Sequence, residues 1–325
     1  MNFLFCSVGR RGELIKYFKN SLDANSSIIA TDCSNNAPAL YFADKQYVVP
    51  RITDENYISI IIDICKNENI DAITTFIDLE IELLAKNREI FKEIGVEVLA
   101  PFVDTAKLCF DKYEMYEFLY KNNINTIKTY NTFNCFKEDF ENGKCQLPVF
   151  IKPRTGSGSE GARKIESYEQ LRTICDKEQN LIIQEFMDGI DLDVDVYIDT
   201  ISKKPVSIFA KKKLETKIGG ANKTISFKDE KLFRLVEEII SKFKFNGPID
   251  IDFFYRDGEY FISEINPRFG GAYLHAYGCG VDFIKLIINN LKGIENEPKF
   301  GDYEEDILMM MYDSIVIKRK KDLAK

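Results

Sequence analysis

The chain is short of the side chains that most often act as catalytic bases or soft metal ligands. It has a single histidine, His275, which disfavours both a His-rich zinc site and a Ser-His-Asp hydrolase. Eight cysteines stand singly at positions 6, 33, 65, 109, 135, 145, 175 and 279, and no two form a CxxC pair. Reduced and mostly buried thiols in a cytoplasmic protein are therefore expected. No apolar run approaches the roughly 18 residues needed to cross a bilayer, so no membrane partner is expected. Residues 1–10 read as a strand running into a loop, not as a signal peptide. The GxxxxGK[ST] pattern is missing, and Gly9-Arg10-Arg11-Gly12 lacks GxGxxG spacing, which weakens a dinucleotide oxidoreductase. Excess basic charge is missing too, with 44 Lys+Arg against 52 Asp+Glu and a net charge of -8. A nonspecific nucleic-acid binder needs a dominant basic surface, so no nucleic-acid partner is expected. One local basic pocket for an anionic ligand remains compatible with that balance.

What is present is ordinary globular material. With 325 residues, 45% hydrophobic and 30% charged, the chain can bury a sizeable core in two or three domains. Residues 2–100 alternate apolar runs (3–8, 28–31, 46–49, 72–76, 96–100) with helical patterns (13–21, 57–68, 80–94). Such alternation predicts a parallel sheet covered on both faces. Ligands of such sheets sit at the carboxyl ends of the strands, which gathers loop 7–12, Asp32 and the Ile77-Asp78 turn at one edge. Pro101 marks a break, and 104–122 reads as one helix with Leu108, Met115, Phe118 and Leu119 on its apolar side. Strands at 148–153, 162–165 and 181–186 with a helix at 168–177 then make a small α+β unit. Beyond it come strands at 193–198, 206–213, 247–255 and 260–265, with helices at 229–243 and 282–292. The fold class is α/β followed by α+β, divided as 1–103, 104–186 and 187–325. The basic run at 318–321 reads as a solvated terminus.

Two segments carry chemistry. Thr155-Gly156-Ser157-Gly158-Ser159-Glu160-Gly161 lets backbone N–H groups approach an anion, although a Gly/Ser turn between strands is commonly just a turn. Lys152 precedes it at the end of an apolar strand, a placement suited to phosphate. The second segment joins Asp250-Ile251-Asp252 to Glu264-Ile265-Asn266-Pro267-Arg268 through Arg256-Asp257-Gly258, an Asp-Gly hairpin signal. Pairing brings Asp252 beside Glu264, and alternation sets Glu264 and Asn266 on one face. Two carboxylates and an amide oxygen are hard ligands suited to Mg²⁺, where the alternative is a solvated hairpin face. Arg268 follows as an anion clamp, and Gly270-Gly271 are expected to leave open space beside it. His275 is expected to pack locally.

In order along the chain, Lys112, Lys152, the TGSGSEG loop, Gln184-Glu185-Phe186-Met187-Asp188-Gly189, Asp252 and Glu264-Ile265-Asn266-Pro267-Arg268-Phe269-Gly270-Gly271 resemble an ATP-grasp enzyme. The resemblance spans nearly the whole chain and is greatest to carbamoyl-phosphate-synthase large-subunit halves and the pyrrolysine-pathway ligase. It implies a Rossmann-like N-terminal domain, a small ATP-binding subdomain and a larger C-terminal subdomain. It also implies phosphate contacts from Lys112 and Lys152, and closure of a loop holding Gly156, Ser157, Gly158, Ser159 and Gly161. Glu185, Phe186 and Met187 would hold adenine, and Asp191 the ribose, where many relatives carry Glu. Lys211 and Lys213 share a strand face, so either, both or neither contacts the triphosphate. Asp252, Glu264 and Asn266 would bind Mg²⁺ or Mn²⁺, and Arg268 would join Lys152 in catalysis by orienting the transferred phosphate. Arg10, Arg11, Arg268, Gly270 and Gly271 would face the substrate, an anionic small-molecule carboxylate, with an amine as second substrate. The implied activity is ATP-dependent carboxylate-amine ligation through an acyl phosphate, releasing ADP and phosphate. An ATP-grasp kinase and a non-catalytic nucleotide-binding regulator are the rivals, and a homodimer is compatible with either.

Overall fold

The computed structural model describes residues 1–156, 158, 161–217 and 220–324. Strands β1 (Asn2–Cys6), β2 (Ser27–Asp32), β3 (Lys45–Val48), β4 (Ala72–Thr75) and β5 (Glu97–Val98) pair in parallel in the order β3-β2-β1-β4-β5. Helices α1 (Gly12–Ser21), α2 (Tyr57–Asn67), α3 (Asp78–Lys86) and α4 (Arg88–Glu93) alternate with them. Both sheet faces are buried, which is why the strands read as continuous apolar runs. Phe3 and Phe5 meet Phe18 and Phe76 on one face, while Leu4 and Cys6 meet Tyr57, Ile61 and Leu84 on the other. The strand order reverses at β1, so the loops after β1 and β4 open the crevice expected of such sheets.

The helix expected at 80–94 starts earlier and breaks at Asn87, which joins α3 to α4 with φ −99° and ψ 10°. A second break has a clearer cause. The expected helix 104–122 is α5 (Val103–Phe110) followed by α6 (Lys112–Lys121). Asp111 between them is extended, and its carboxylate accepts hydrogen bonds from the N–H groups of Tyr113 and Glu114. An aspartate that caps a new helix competes with continuation of the old one. Arg154 Nε also binds that carboxylate, and the Lys112 N–H donates to the Arg154 carbonyl, which anchors α6 to the strand before the glycine loop.

The middle unit continues with β6 (Thr129–Tyr130), α7 (Phe133–Glu141), β7 (Val149–Pro153), β8 (Arg163–Ile165), α8 (Tyr168–Lys177) and β9 (Leu181–Glu185). Its antiparallel sheet runs β6-β9-β7-β8 over a separate core of Phe136, Val149, Ile151, Ile165, Leu171 and Ile183. Helix α7 escaped the sequence reading, and Thr132 caps it through Oγ1. The third unit carries β10 (Ile190–Ile198), β11 (Pro205–Lys217), β12 (Gly220–Phe227), α9 (Glu230–Ile240), β13 (Gly247–Arg256), β14 (Glu259–Asn266), α10 (Tyr273–Gly278), α11 (Phe283–Leu291), β15 (Lys299–Phe300) and β16 (Leu308–Met310). The main sheet runs β14-β13-β10-β11-β12-β16, with β15 beside β11. Asp257 and Gly258 turn the β13–β14 hairpin with φ of 53° and 85°, the left-handed pair that an Asp-Gly turn requires. Strand β12 was missed because Gly220, Asn222 and Lys223 dilute its apolar pattern, and pairing with β11 and β16 decides it.

All eight thiols are free, yet only Cys6, Cys65 and Cys109 are buried, so the expectation of mostly buried cysteines is corrected. Cys33 and Cys135 sit on the exposed surface of a loop and a helix. His275 packs locally as expected. It is buried, its Nδ1 lies 2.7 Å from Thr224 Oγ1, and its ring meets Phe209 edge-on. Burial, assisted by Lys211, holds its pKa down to about 4. The unfolded chain takes up this proton first as pH falls, because the ordinary value is near 6.5. Stability linked to His275 is therefore complete above about pH 6.5 and is lost as the pH falls towards about 4. Melting temperature measured across that window should fall less steeply for His275→Asn than for the parent chain; parallel curves would defeat the assignment.

Candidate active site

The site grows from an alternation. Ile190-Asp191-Leu192-Asp193-Val194-Asp195 places three carboxylates on one face of β10, with Leu192 and Val194 in the core beneath. Neighbouring strands extend this face in register. Asp193 lies opposite Lys211 on β11 and Asp252 on β13, and Asp252 lies opposite Glu264 on β14. One rung deeper, Asp195 faces Asp250, which faces Asn266. The expected meeting of Asp252 with Glu264, and the shared face of Glu264 and Asn266, are both present.

Burial divides this face along a different line from the rungs, into an inner row of Asp193, Asp195, Asp250 and Lys211 and an outer row of Asp191, Lys213, Asp252 and Glu264. Asp193, Asp195 and Asp250 are almost inaccessible, and Lys211 is 0% exposed among them. Its Nζ lies 2.7 Å from Asp193 Oδ1 and also pairs with Asp195. Burial pushes Asp195 up to about 7 despite Lys211, and burial with Asp193 and Asp252 drives Asp250 well above the carboxylate range. These three oxygens lie close enough together to resemble a cation site, but the Lys211 ammonium already occupies that role.

The outer row lines a cavity of about 620 Å³. Lys213 enters it, pairing with Asp252 and, at 3.0 Å, with Asp191. Burial alone would lower the Lys213 pKa, but Asp252 and Asp191 outweigh it and raise it well above the ordinary value. Lys211 does not line the cavity, so the two candidate lysines part company. Lys112 donates from Nζ to the Gly156 carbonyl at 2.7 Å and stands 3.6 Å from Glu264. Lys152 is buried at the cavity wall and makes no ion pair among the described residues. Burial, only partly offset by Glu264, holds its pKa below the ordinary lysine value. Glu185, Phe186 and Met187 form the rim, with Ile127, Phe150 and Phe254 as apolar walls. The Glu185 carboxylate is held by Arg256 at 3.0 Å, a partner that the sequence reading missed. Gly156 lines the cavity, and Gly156, Gly158 and Gly161 have φ of 117°, 72° and 74°, which only glycine adopts easily. Ser157 and Ser159 lie outside the described residues.

The substrate-side residues behave less uniformly. Arg268 binds Asp78 with both Nε (2.8 Å) and Nη2 (3.2 Å), and its Nη2 reaches Asn266 Oδ1 at 3.4 Å. Arg11 donates to the Gly270 carbonyl at 3.2 Å. Burial and the nearby Arg268 lower its pKa to about 10. Arg10 is exposed and stands apart from this group. The expected open space at Gly270-Gly271 is not there. A Cβ on Gly270 would meet Asp195 Oδ1 at 2.7 Å and Asp250 Oδ1 at 2.8 Å, and one on Gly271 would come within 3.4 Å of Arg11. Glycine at position 270 lets the backbone close over the buried acids, and it does not make room for a ligand.

The donor set fits a hard divalent cation. Asp252 and Glu264 present oxygens on one face, and ammonium groups already balance both. Asn266 donates from Nδ2 to Asp252 at 3.2 Å and turns Oδ1 to Arg268, so its oxygen would join a cation there only after the amide turns over. Asp78, Asp193 and Asp195 complete the charge pattern; the i, i+2, i+4 spacing of the β10 aspartates was a signal in the sequence that was not used.

Comparisons with known proteins bear on the family and the fold. The model of the PylC-like N-terminal domain matches residues 3–99, and that of the ATP-grasp domain matches residues 109–272, half of the chain. No curated protein matches the sequence. Among solved structures, N5-carboxyaminoimidazole synthetase from Staphylococcus aureus, complexed with ADP, is similar at a TM-score of 0.73 and 15% identity, covering 92% of this chain and 79% of that one. Biotin carboxylase from Campylobacter jejuni is similar at 0.71 and 17%, covering 94% and 74%. L-amino acid ligase from Bacillus licheniformis is similar at 0.65 and 17%, covering 91% and 75%. The chain belongs to the ATP-grasp family.

The two rows make separable predictions. Lys211→Met leaves buried carboxylates without their cation and should cost about 3–5 kcal/mol in denaturant unfolding. Lys213→Met, at the cavity, should cost well under half as much and instead weaken nucleotide binding. Equal stability losses in the two variants would contradict the division.

Proposed function

We propose that this ATP-grasp protein joins a carboxylate to an amine using Mg-ATP. The observation that carries the reading is the opposition of Lys112, Lys152 and Lys213 to Asp252 and Glu264 across one cavity with apolar walls. A base and sugar suit the rim at Glu185–Met187 and Asp191, and a triphosphate suits the lysines. Lys152 is the most telling of the three, because a buried ammonium with no carboxylate partner is satisfied by an anionic ligand. Asp252, Glu264 and Asn266 would hold Mg²⁺, which when bound neutralises charge on the phosphate oxygens.

Phosphoryl transfer asks for alignment and charge neutralisation more than for a nucleophilic side chain. In the proposed reaction a substrate carboxylate oxygen attacks the γ-phosphorus and the bond to ADP breaks, giving an acyl phosphate. The amine then attacks the acyl carbon, phosphate leaves with the bonding pair, and the amine loses a proton. Lys152 and Lys112 would steady the transferred group, and Gly156 with its loop would exclude water. Arg268, fixed by Asp78, would orient the phosphate, and Arg11 beside it would favour an anionic acid. The ADP bound to the Staphylococcus protein and the name of the Bacillus ligase support this reading.

Release of ADP screened against pooled carboxylates, with and without pooled amines, tests it. ADP and phosphate should form when an acid and an amine are both present. AMP with pyrophosphate would move the protein to an adenylating class, and phosphorylated product without any amine would make it a kinase. With the pair so found, Glu264→Gln should lower turnover by about 10²–10³, as expected for loss of one electrostatic contact in the transition state. Its melting temperature should stay near the parent value, whereas a solvated hairpin carboxylate would leave turnover unchanged.

A further inference from the structure

A buried carboxylate that the proposed reaction does not use stands behind the substrate-side arginines. Glu80 is 0% exposed, and three hydroxyls from three elements satisfy it. Ser7 Oγ at 2.8 Å and Thr75 Oγ1 at 2.6 Å donate to its Oε2, and the Tyr57 hydroxyl donates to its Oε1. A carboxylate this deep is tolerated only when it is fully hydrogen-bonded. Thr75 and Tyr57 belong to packed elements, β4 and α2, but Ser7 opens the loop after β1. Ser7 has φ of 51°, a left-handed conformation that a residue with a side chain adopts at a cost. Such strain persists where surrounding contacts over-determine it, and Ser7 Oγ on Glu80 is one of them.

The loop that begins at Ser7 is held again at Gly9, whose N–H donates to Asp32 at 2.9 Å and whose carbonyl accepts from the Ala39 N–H at 3.1 Å. It ends at Arg11, whose guanidinium donates to the Gly270 carbonyl close to Arg268. Glu80 also stands two residues after Asp78 in the first turn of α3, and Asp78 is the carboxylate that fixes Arg268. One side chain thus reaches both arginines, Arg11 through Ser7 and Arg268 through the turn that it anchors. Like charges at close quarters move apart unless something holds them. We propose that Glu80 is a positioning residue, which through Ser7 and the first turn of α3 holds Arg11 and Arg268 together to receive the acid substrate. This rests on the proposed ligation, in which that pair takes up the acid. Neither Ser7 nor Glu80 lines the cavity, so loosening the Ser7–Glu80 bond should weaken capture of the acid and leave the nucleotide alone.

Glu80→Gln is the obvious variant, but it leaves a buried hydroxyl cluster badly matched and can fail to fold. Ser7→Gly separates position from stability, because glycine takes the left-handed conformation freely while the hydroxyl is lost. Its melting temperature should stay near the parent value. Arginine labelling with phenylglyoxal, followed residue by residue in a mass spectrometer, needs no substrate, and exposed Arg10 serves as internal reference. In Ser7→Gly, Arg11 should react at least roughly tenfold faster relative to Arg10, since a hydrogen bond to a charged group is worth about that factor. With an acid that supports ADP release by the parent, Ser7→Gly should raise the KM for that acid about tenfold and keep kcat within about threefold. The MgADP dissociation constant should not move. Arg11 labelling that keeps the parent ratio overturns the proposal, and so does an unchanged KM for the acid. A parent that releases no ADP with any acid sinks the ligation instead, and Arg11 labelling then decides by itself whether Glu80 positions the loop.

Discussion

Charge compensation across the polar face of the C-terminal sheet is the constraint on which the rest of the active site depends. Strand pairing forces Lys211, Asp193, Asp252 and Glu264 into one rung, and Asp195, Asp250 and Asn266 into the next. Carboxylates taken out of water are costly unless paired, and breaking one pair exposes the full cost of the survivors. Lys211 meets that cost for the inner row, and Lys213 with Lys112 meets it for the outer row. The inner row cannot expand, because the Gly270 backbone is pressed against Asp195 and Asp250. It acts as a fixed floor, and the outer row is left to face the cavity.

The other two units deliver groups to that floor. The Asp111 cap breaks a helix so that Lys112 begins α6 and reaches both Gly156 and Glu264. From the N-terminal domain, loop 7–12 sends Arg11 to the Gly270 carbonyl, and α3 sends Asp78 to Arg268. Behind that loop, buried Glu80 accepts hydrogen bonds from Ser7, Thr75 and Tyr57, which ties the ends of β1 and β4 together. Arg11 and Arg268 are like charges held in close quarters, and Asp78 and Asp250 make that arrangement tolerable.

Much of this was legible because short-range rules fix it. The Asp-Gly turn sets the hairpin register as far as Phe253 opposite Ile262, and a bulge between Asp252 and Phe253 then brings Asp252 opposite Glu264. Strand–helix alternation was enough for the parallel sheet. What escaped depended on partners distant in sequence. Asp111 caps through the nearby N–H groups of Tyr113 and Glu114, but Arg154, which fixes its carboxylate there, stands 43 residues away. Lys211 and Lys213 are equivalent by spacing, and only the neighbouring strand assigns one to buried aspartates and the other to the cavity. Gly270 read as open space because glycine often provides it, whereas tertiary contacts fill the space with carboxylates. Strand β12 has a weak pattern that tertiary pairing decides, whereas α7 carried a legible signal, Thr132 ahead of Phe133, Phe136 and Phe140 at helical spacing, that was missed.

The outer row also bears on the order in which ligands arrive. Three lysines (Lys112, Lys152, Lys213) face three carboxylates (Asp191, Asp252, Glu264) across the cavity, so the group is close to neutral by itself. A bare divalent cation would have to displace the Lys213 ammonium from Asp252 and leave it without an anion. A bare triphosphate would draw the same lysines away and leave the carboxylates facing its negative charge. Each ligand supplies the counter-charge that the other one strips from the protein. In the proposed reading, metal and nucleotide therefore bind better together than apart, and Lys213 is the residue that changes partner, from Asp252 to phosphate. Lys211, locked among carboxylates that no ligand reaches, has no such exchange open to it.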